Sequence, residues 1–248
     1  MKIHFLINKI KSYRGRNNLF YIFGRFKLIR ELTKKIRTLI NYKKNIIHSN
    51  NTYLTDQVDI DNVLKKLNKD GYSDSLKLNK ETLKKLLSLS DKSSFLDNKN
   101  KIFKSFKGID KYNNNNNKPT CLLKLTNIEL NNLANDISRD KYLLDLASNY
   151  IGHINKIESK VLWSTVCNAT DDWREESGQT ITYHYDVHDL NFVYIFFYLT
   201  DCNIKSGAHQ IIKGSHTKKF LFKHLIGSVK KTENDLRKDF IDDKFITI

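Results

Sequence analysis

Apolar positions recur at helical spacing through the first half of the chain and at strand spacing through the second. Between Ile3 and Ile47 they fall on a helical repeat around Gly24, with Leu28, Ile29, Leu32 and Ile36 as a stripe, which predicts one or two helices. The polar stretch from His48 to Thr55 reads as a linker. Ile60, Val63, Leu64 and Leu67 give the i, i+3, i+4, i+7 pattern, and Gly71 stands where a left-handed residue ends a helix. Asn79 is placed to cap a second helix that carries Leu83, Leu86, Leu87 and Leu89. Residues 97–118, with the asparagine run 113–117, lack periodicity and predict an exposed loop. Thr126-Asn-Ile-Glu129 has the form of a capping box, followed by Leu130, Leu133 and Ile137. Ser138 is the expected cap of the next helix, which ends at Gly152 with Tyr142, Leu143, Leu146, Ala147 and Tyr150 inward. Beyond Gly152 the period shortens to two, predicting strands over 160–167, 179–186, 192–200, 209–213 and 245–248, with an acidic loop over 171–178. Helices followed by strands make an α+β protein.

Composition adds a strong asymmetry of charge. The 248 residues carry 43 Lys and Arg against 27 Asp and Glu, a net charge of +16. Residues 1–119 hold a net +17 and residues 120–248 a net −1. The first 54 residues alone carry +12, which separates a basic, helical extension, 1–54, from a domain over 55–248. Such an arm, interspersed with Phe5, Phe20, Phe23, Phe26 and Leu28, suits contact with an anionic membrane or with nucleic acid. An AT-rich coding bias, visible in the Lys, Asn and Ile content and the single proline, also yields basic solvated faces without any partner. Cys121, Cys167 and Cys202 are odd in number and lack metal-type pair spacing, so the expectation is reduced thiols with no disulfide partner. No apolar run is long enough to span a bilayer and no secretory leader is evident, so the expected location is the cytoplasm.

The chemistry concentrates in Tyr183-His184-Tyr185-Asp186. On a strand, residues i and i+2 share a face, so an imidazole and a carboxylate stand side by side. Two histidines and one carboxylate are the usual ligand set of non-heme Fe(II), and His184 and Asp186 supply two of the three. The apolar run from Val193 to Asp201, then Ser206-Gly207 and Lys213-Gly214-Ser215-His216, follow in order. This succession resembles the phytanoyl-CoA dioxygenase-like family of Fe(II)- and 2-oxoglutarate-dependent oxygenases. Ala208 stands where that family usually has proline. Leu146-Ala-Ser-Asn-Tyr-Ile-Gly152, Leu162-Trp-Ser164 and Val63 to Gly71 are similar to its earlier helix, strand and turn.

The resemblance implies a double-stranded β-helix, a cupin-like jelly roll with N-terminal helices, filling the domain from about residue 152 onward. It also implies metal ligation by His184 and Asp186, contact of Tyr185 and Phe196 with 2-oxoglutarate, and a small metabolite, lipid or sugar-linked substrate oxidised with dioxygen. Asp186 favours hydroxylation, since related halogenating enzymes have a small residue there. In the family the second histidine and the arginine that binds 2-oxoglutarate follow a segment that resembles Lys244-Phe-Ile-Thr-Ile248, so the expected jelly roll is cut short at the C-terminus. His188, His209, His216 and His224 are the other histidines of this region, and each reads first as a surface or hydrogen-bonded side chain. The reading from a different class is a catalytically silent binding or interaction protein with an incomplete jelly roll and a basic arm.

Overall fold

The computed structural model of the chain describes residues 23, 24, 26–40, 48–55, 58–154, 156–165, 167–179, 181–184, 186, 189–217, 233–238 and 240–248. Helix α1, Lys27–Ile40, precedes α2, Ile60–Asp70, and α3, Lys80–Asp91. A short hairpin, β1 (Phe95–Asp97) and β2 (Ile102–Phe103), leads into α4, Phe106–Asn114. Then come β3 (Leu122–Leu125), α5 (Ile128–Ile137), α6 (Lys141–Ile151), β4 (Leu162–Ser164) and α7 (Asp171–Glu176). The chain continues through β5 (Gln210–Ile212), α8 (Glu233–Leu236) and β6 (Phe245–Thr247). The protein is thus α+β, and its described residues form two small antiparallel sheets: one of four strands in the order β2-β1-β3-β4, and one pairing β5 with β6.

The main core forms where the four-stranded sheet meets the helices. Phe95, Leu123 and Leu125 on the sheet are buried with Leu54, Leu86, Ile109, Leu130, Ile137 and Leu143. Phe106 stacks 4.6 Å from Phe95 and 4.5 Å from Trp163, carrying the aromatic packing across the sheet. A second cluster, Val63, Leu67 and Leu146, joins α2 to α6.

The caps follow local chemistry. Asp59 and Asn79 accept amide protons at the starts of α2 and α3, and Gly71 ends α2 at φ +84°. Other expectations are corrected. The cap of α5 is Asn127 rather than Thr126, and that of α6 is Asp140 rather than Ser138. Asp140 is fully buried: one oxygen accepts from the amides of Tyr142 and Leu143, the other from Tyr53 N–H. It therefore anchors the stretch expected to be a linker, where Tyr53 and Leu54 are core residues and Leu54 bridges Leu78. Tyr142 is exposed, because Leu143, Leu144 and Leu146 fill the buried face of α6.

Residues 97–118, expected to be a loop, instead form β2 and α4, capped by Ser105 and held by buried Phe103 and Ile109. The asparagine run is not idle, since Asn113 exchanges two hydrogen bonds with the Thr120 backbone. The expected acidic loop 171–178 contains helix α7, capped by Thr170, whose first-turn Asp171 and Asp172 favour the positive end of the helix. No helix among the described residues is long and apolar enough to cross a membrane.

Candidate functional site

Residues 192–199 connect the fold to the site. They carry a strand's period-two burial without belonging to either sheet. Ile195, Phe197 and Leu199 pack on the main core, while Tyr194, Phe196 and Tyr198 are exposed. Neighbouring rings touch in sequence: Phe192 and Tyr194 lie 5.4 Å apart, Tyr194 and Phe196 5.6 Å, and Phe196 and His209 4.6 Å.

His184 and Asp186 come together, as the i, i+2 spacing predicts, although the described residues around them are in neither sheet. His184 Nε2 stands 3.0 Å from Asp186 Oδ1, and its Nδ1 stands 2.9 Å from the carbonyl of Thr182. A carbonyl only accepts, so Nδ1 must carry a proton and donate it. In the neutral ring this aims the Nε2 lone pair at a carboxylate oxygen. That arrangement calls for a cation between the two atoms, either a proton or a metal ion. Both side chains reach solvent, at 26% and 46% exposure, so a ligand can approach.

The segment before this pair is fastened at several points. Gln179 donates from Nε2 to Ser164 Oγ at 2.7 Å and to the Cys121 carbonyl at 2.9 Å, and accepts from Arg174. Thr182 donates to Glu175 at 3.2 Å. Gln179 and Thr182 thus tie the site segment to β4, to the residue before β3 and to α7. Trp163 is in the core, packed on Phe106.

Of the cosubstrate candidates, Phe196 lies with one face on His209, and Tyr185 lies outside the described residues. The histidines 188 and 224 lie outside them too. His209 is the residue that sequence reasoning undervalued. Its backbone N–H donates to Tyr198 Oη at 2.9 Å, and Tyr198 Oη also meets its Nδ1. Burial pulls His209 below the usual imidazole range, and the charge of Asp186 partly offsets this. Asp186 and His209 therefore share one electrostatic environment although 23 positions separate them. The only sequence cue was the Gly207-Ala208 turn that returns the chain towards β5.

The Gly214-Ser215-His216 turn is structural. Gly214 N–H donates to Asp70 O at 2.7 Å, and His216 Nε2 to Asn68 O at 3.2 Å, satisfying carbonyls left open at the end of α2. A Cβ at Gly71 would lie 2.6 Å from His216 Nδ1, so this close approach needs glycine. Lys213 adds an ion pair with Asp70 at 3.6 Å.

Among the described residues no three His, Cys, Asp or Glu side chains converge to hold a metal. Cys121 and Cys167 are free thiols 3.3 Å apart, and burial pushes the Cys121 thiol up to about 11. A small pocket of about 140 Å³ sits beside Cys121, Trp173 and Ser177, and its lining includes neither His184 nor Asp186. Compared with family models, curated proteins and solved structures, the chain has no significant match.

Proposed function

We propose that this chain is an Fe(II)- and 2-oxoglutarate-dependent dioxygenase of the phytanoyl-CoA dioxygenase-like type, in which His184 and Asp186 hold the metal. The observation that carries the reading is the hydrogen bond from His184 Nδ1 to the Thr182 carbonyl, with Nε2 facing Asp186. A histidine that ligates through one nitrogen typically donates its other N–H to a carbonyl or carboxylate, which fixes the tautomer and ring orientation. Bound iron and 2-oxoglutarate would supply the oxidising power to hydroxylate a small metabolite, lipid or sugar-linked substrate with dioxygen.

This chain's residues do the positioning. Thr182 orients the imidazole, Asp186 supplies negative charge, and His209, packed against the Phe196 ring, lies in the field of Asp186. His184 as a neutral imidazole and Asp186 as a carboxylate would hold the metal, so its binding would release protons and weaken in acid. The period-two burial over 192–199 supports a double-stranded β-helix as the finer architecture, and the free thiols suit a reducing cytoplasm.

The test is an anaerobic Fe(II) titration with and without 2-oxoglutarate, following the charge-transfer absorption and proton release, then succinate formation in air. Asp186→Ala is expected to weaken metal binding by roughly a hundredfold or more, since loss of even an outer-shell partner of a ligand costs up to about that much. Equal Fe(II) affinity in the wild type and Asp186→Ala would overturn the assignment. The absence of a third converging ligand among the described residues favours a second reading, a catalytically silent binding protein. That reading predicts no proton release on adding Fe(II).

A further inference from the structure

Helix α1 has two faces in different circumstances. Its inner face is committed to the body of the protein. Arg37 Nη2 donates to both carboxylate oxygens of Asp189 at 2.7 and 2.8 Å, Arg30 donates to the carbonyls of Gly24 and His216, and Asn191 donates to the Arg30 carbonyl at 2.7 Å. Gly152 permits the approach, since a Cβ there would lie 3.0 Å from the Lys34 carbonyl. The outer face is aliphatic and open: Leu28 is 81% exposed, Leu32 56%, Ile36 44% and Leu39 80%. At the angular step of an α-helix these four side chains fall within an arc of about 80°.

The polar part of the same helix is basic. Lys27, Lys34 and Lys35 lie between the aliphatic stripe and the docked arginines, and Glu31 is the one acid of the helix. An aliphatic stripe bordered by lysines, on a helix lying along the protein, is the arrangement of an interfacial helix. We propose that α1 docks the protein onto an anionic lipid surface, with Leu28, Leu32, Ile36 and Leu39 entering the headgroup boundary and the lysines meeting lipid phosphates.

Charge selects this occupant. With Lys27, Lys34 and Lys35 against Glu31 on the undocked part of the helix and a net +16 on the chain, a second copy of this face is repelled. Nucleic acid would neutralise the lysines but leave the aliphatic stripe in water. An anionic bilayer satisfies both parts of the surface. The inference is independent of the oxygenase reading.

The experiment floats the full chain with phosphatidylcholine vesicles, with and without phosphatidylserine, at low and high salt. Binding to the phosphatidylserine vesicles is expected, with little to phosphatidylcholine alone. Leu28→Ser, Leu32→Ser and Leu39→Ser combined should weaken partitioning by roughly a hundredfold or more. Lys27→Gln with Lys35→Gln should weaken it by about fivefold per charge removed. These side chains are on the open face or its border, so an unchanged circular dichroism spectrum and Tm confirm an intact fold. Independently, Leu32→Trp should gain fluorescence quenched by brominated lipid, beyond the signal of Trp163 and Trp173 in the wild type. Three outcomes overturn the proposal: no flotation with phosphatidylserine, flotation that survives the triple serine substitution, or a leucine-dependent dimer in sedimentation without lipid binding.

Discussion

Single residues in this protein couple distant parts of the chain through backbone groups that would otherwise be buried without partners. Gly71 ends α2 in the left-handed region and lets the His216 ring settle against it. Gly71→Ala should therefore cost about 1–3 kcal/mol, from left-handed strain plus displacement of the ring, measured by urea denaturation. Cys121 sets a pH dependence. Its folded thiol is raised from 9.0 to about 11, chiefly by burial, so the native state holds this proton more tightly than the unfolded chain does. Its contribution to stability is complete below pH 9 and declines as pH rises through about 11. Denaturation midpoints should fall over that range in the wild type, and Cys121→Ala should flatten the slope whatever its effect at neutral pH.

At the scale of elements, the fold depends on caps that serve more than their own helix. Asp140 caps α6 with one oxygen and receives Tyr53 N–H with the other, so a helix start and the entry to the core share one carboxylate. Asp140→Ala removes the cap and leaves the Tyr53 amide buried without a partner. The expected loss is about 2–4 kcal/mol, seen in thermal unfolding, with Asp140→Asn retaining part of it. The turn over 213–216 does the same for the end of α2. The Gly-Ser-His motif that suggested an oxygenase in the sequence is thus also a helix clip, and its presence supports the fold irrespective of any iron chemistry.

Across the whole molecule, charge and apolar surface are partitioned. The N-terminal half holds the excess of cations, yet Arg30 and Arg37 spend theirs on internal contacts with the C-terminal half, at His216 and Asp189. In the partly buried Arg37–Asp189 pair Nη2 reaches both carboxylate oxygens while Nη1 donates to the Asn191 carbonyl, charge-assisted bonds that are stronger than neutral ones. Asp189→Ala should free α1 without melting the core. Trypsin would then cut faster within 27–40, while the main thermal transition stays within about 2 °C, because the core built on Phe95 does not include this pair.

Periodicity and cap chemistry were sufficient for the α+β class, for α2 with its Gly71 end and α3 with its Asn79 cap, and the i, i+2 spacing for His184 beside Asp186, although that segment is in neither sheet. Each of these depends on residues within one turn or one pleat of each other, where side-chain direction follows from local backbone geometry. What the sequence could not contain was partner choice across long separations. Only the folded chain placed Asp140 under Tyr53, His209 in the field of Asp186 and His216 on Gly71. It likewise turned the 97–118 stretch into a hairpin and helix, because the burial of Phe103 and Ile109 against the sheet outweighs a weak local pattern. Which face of α1 is covered was decided in the same way, since an amphipathic repeat fixes the angle between faces but the body of the protein selects which one it takes.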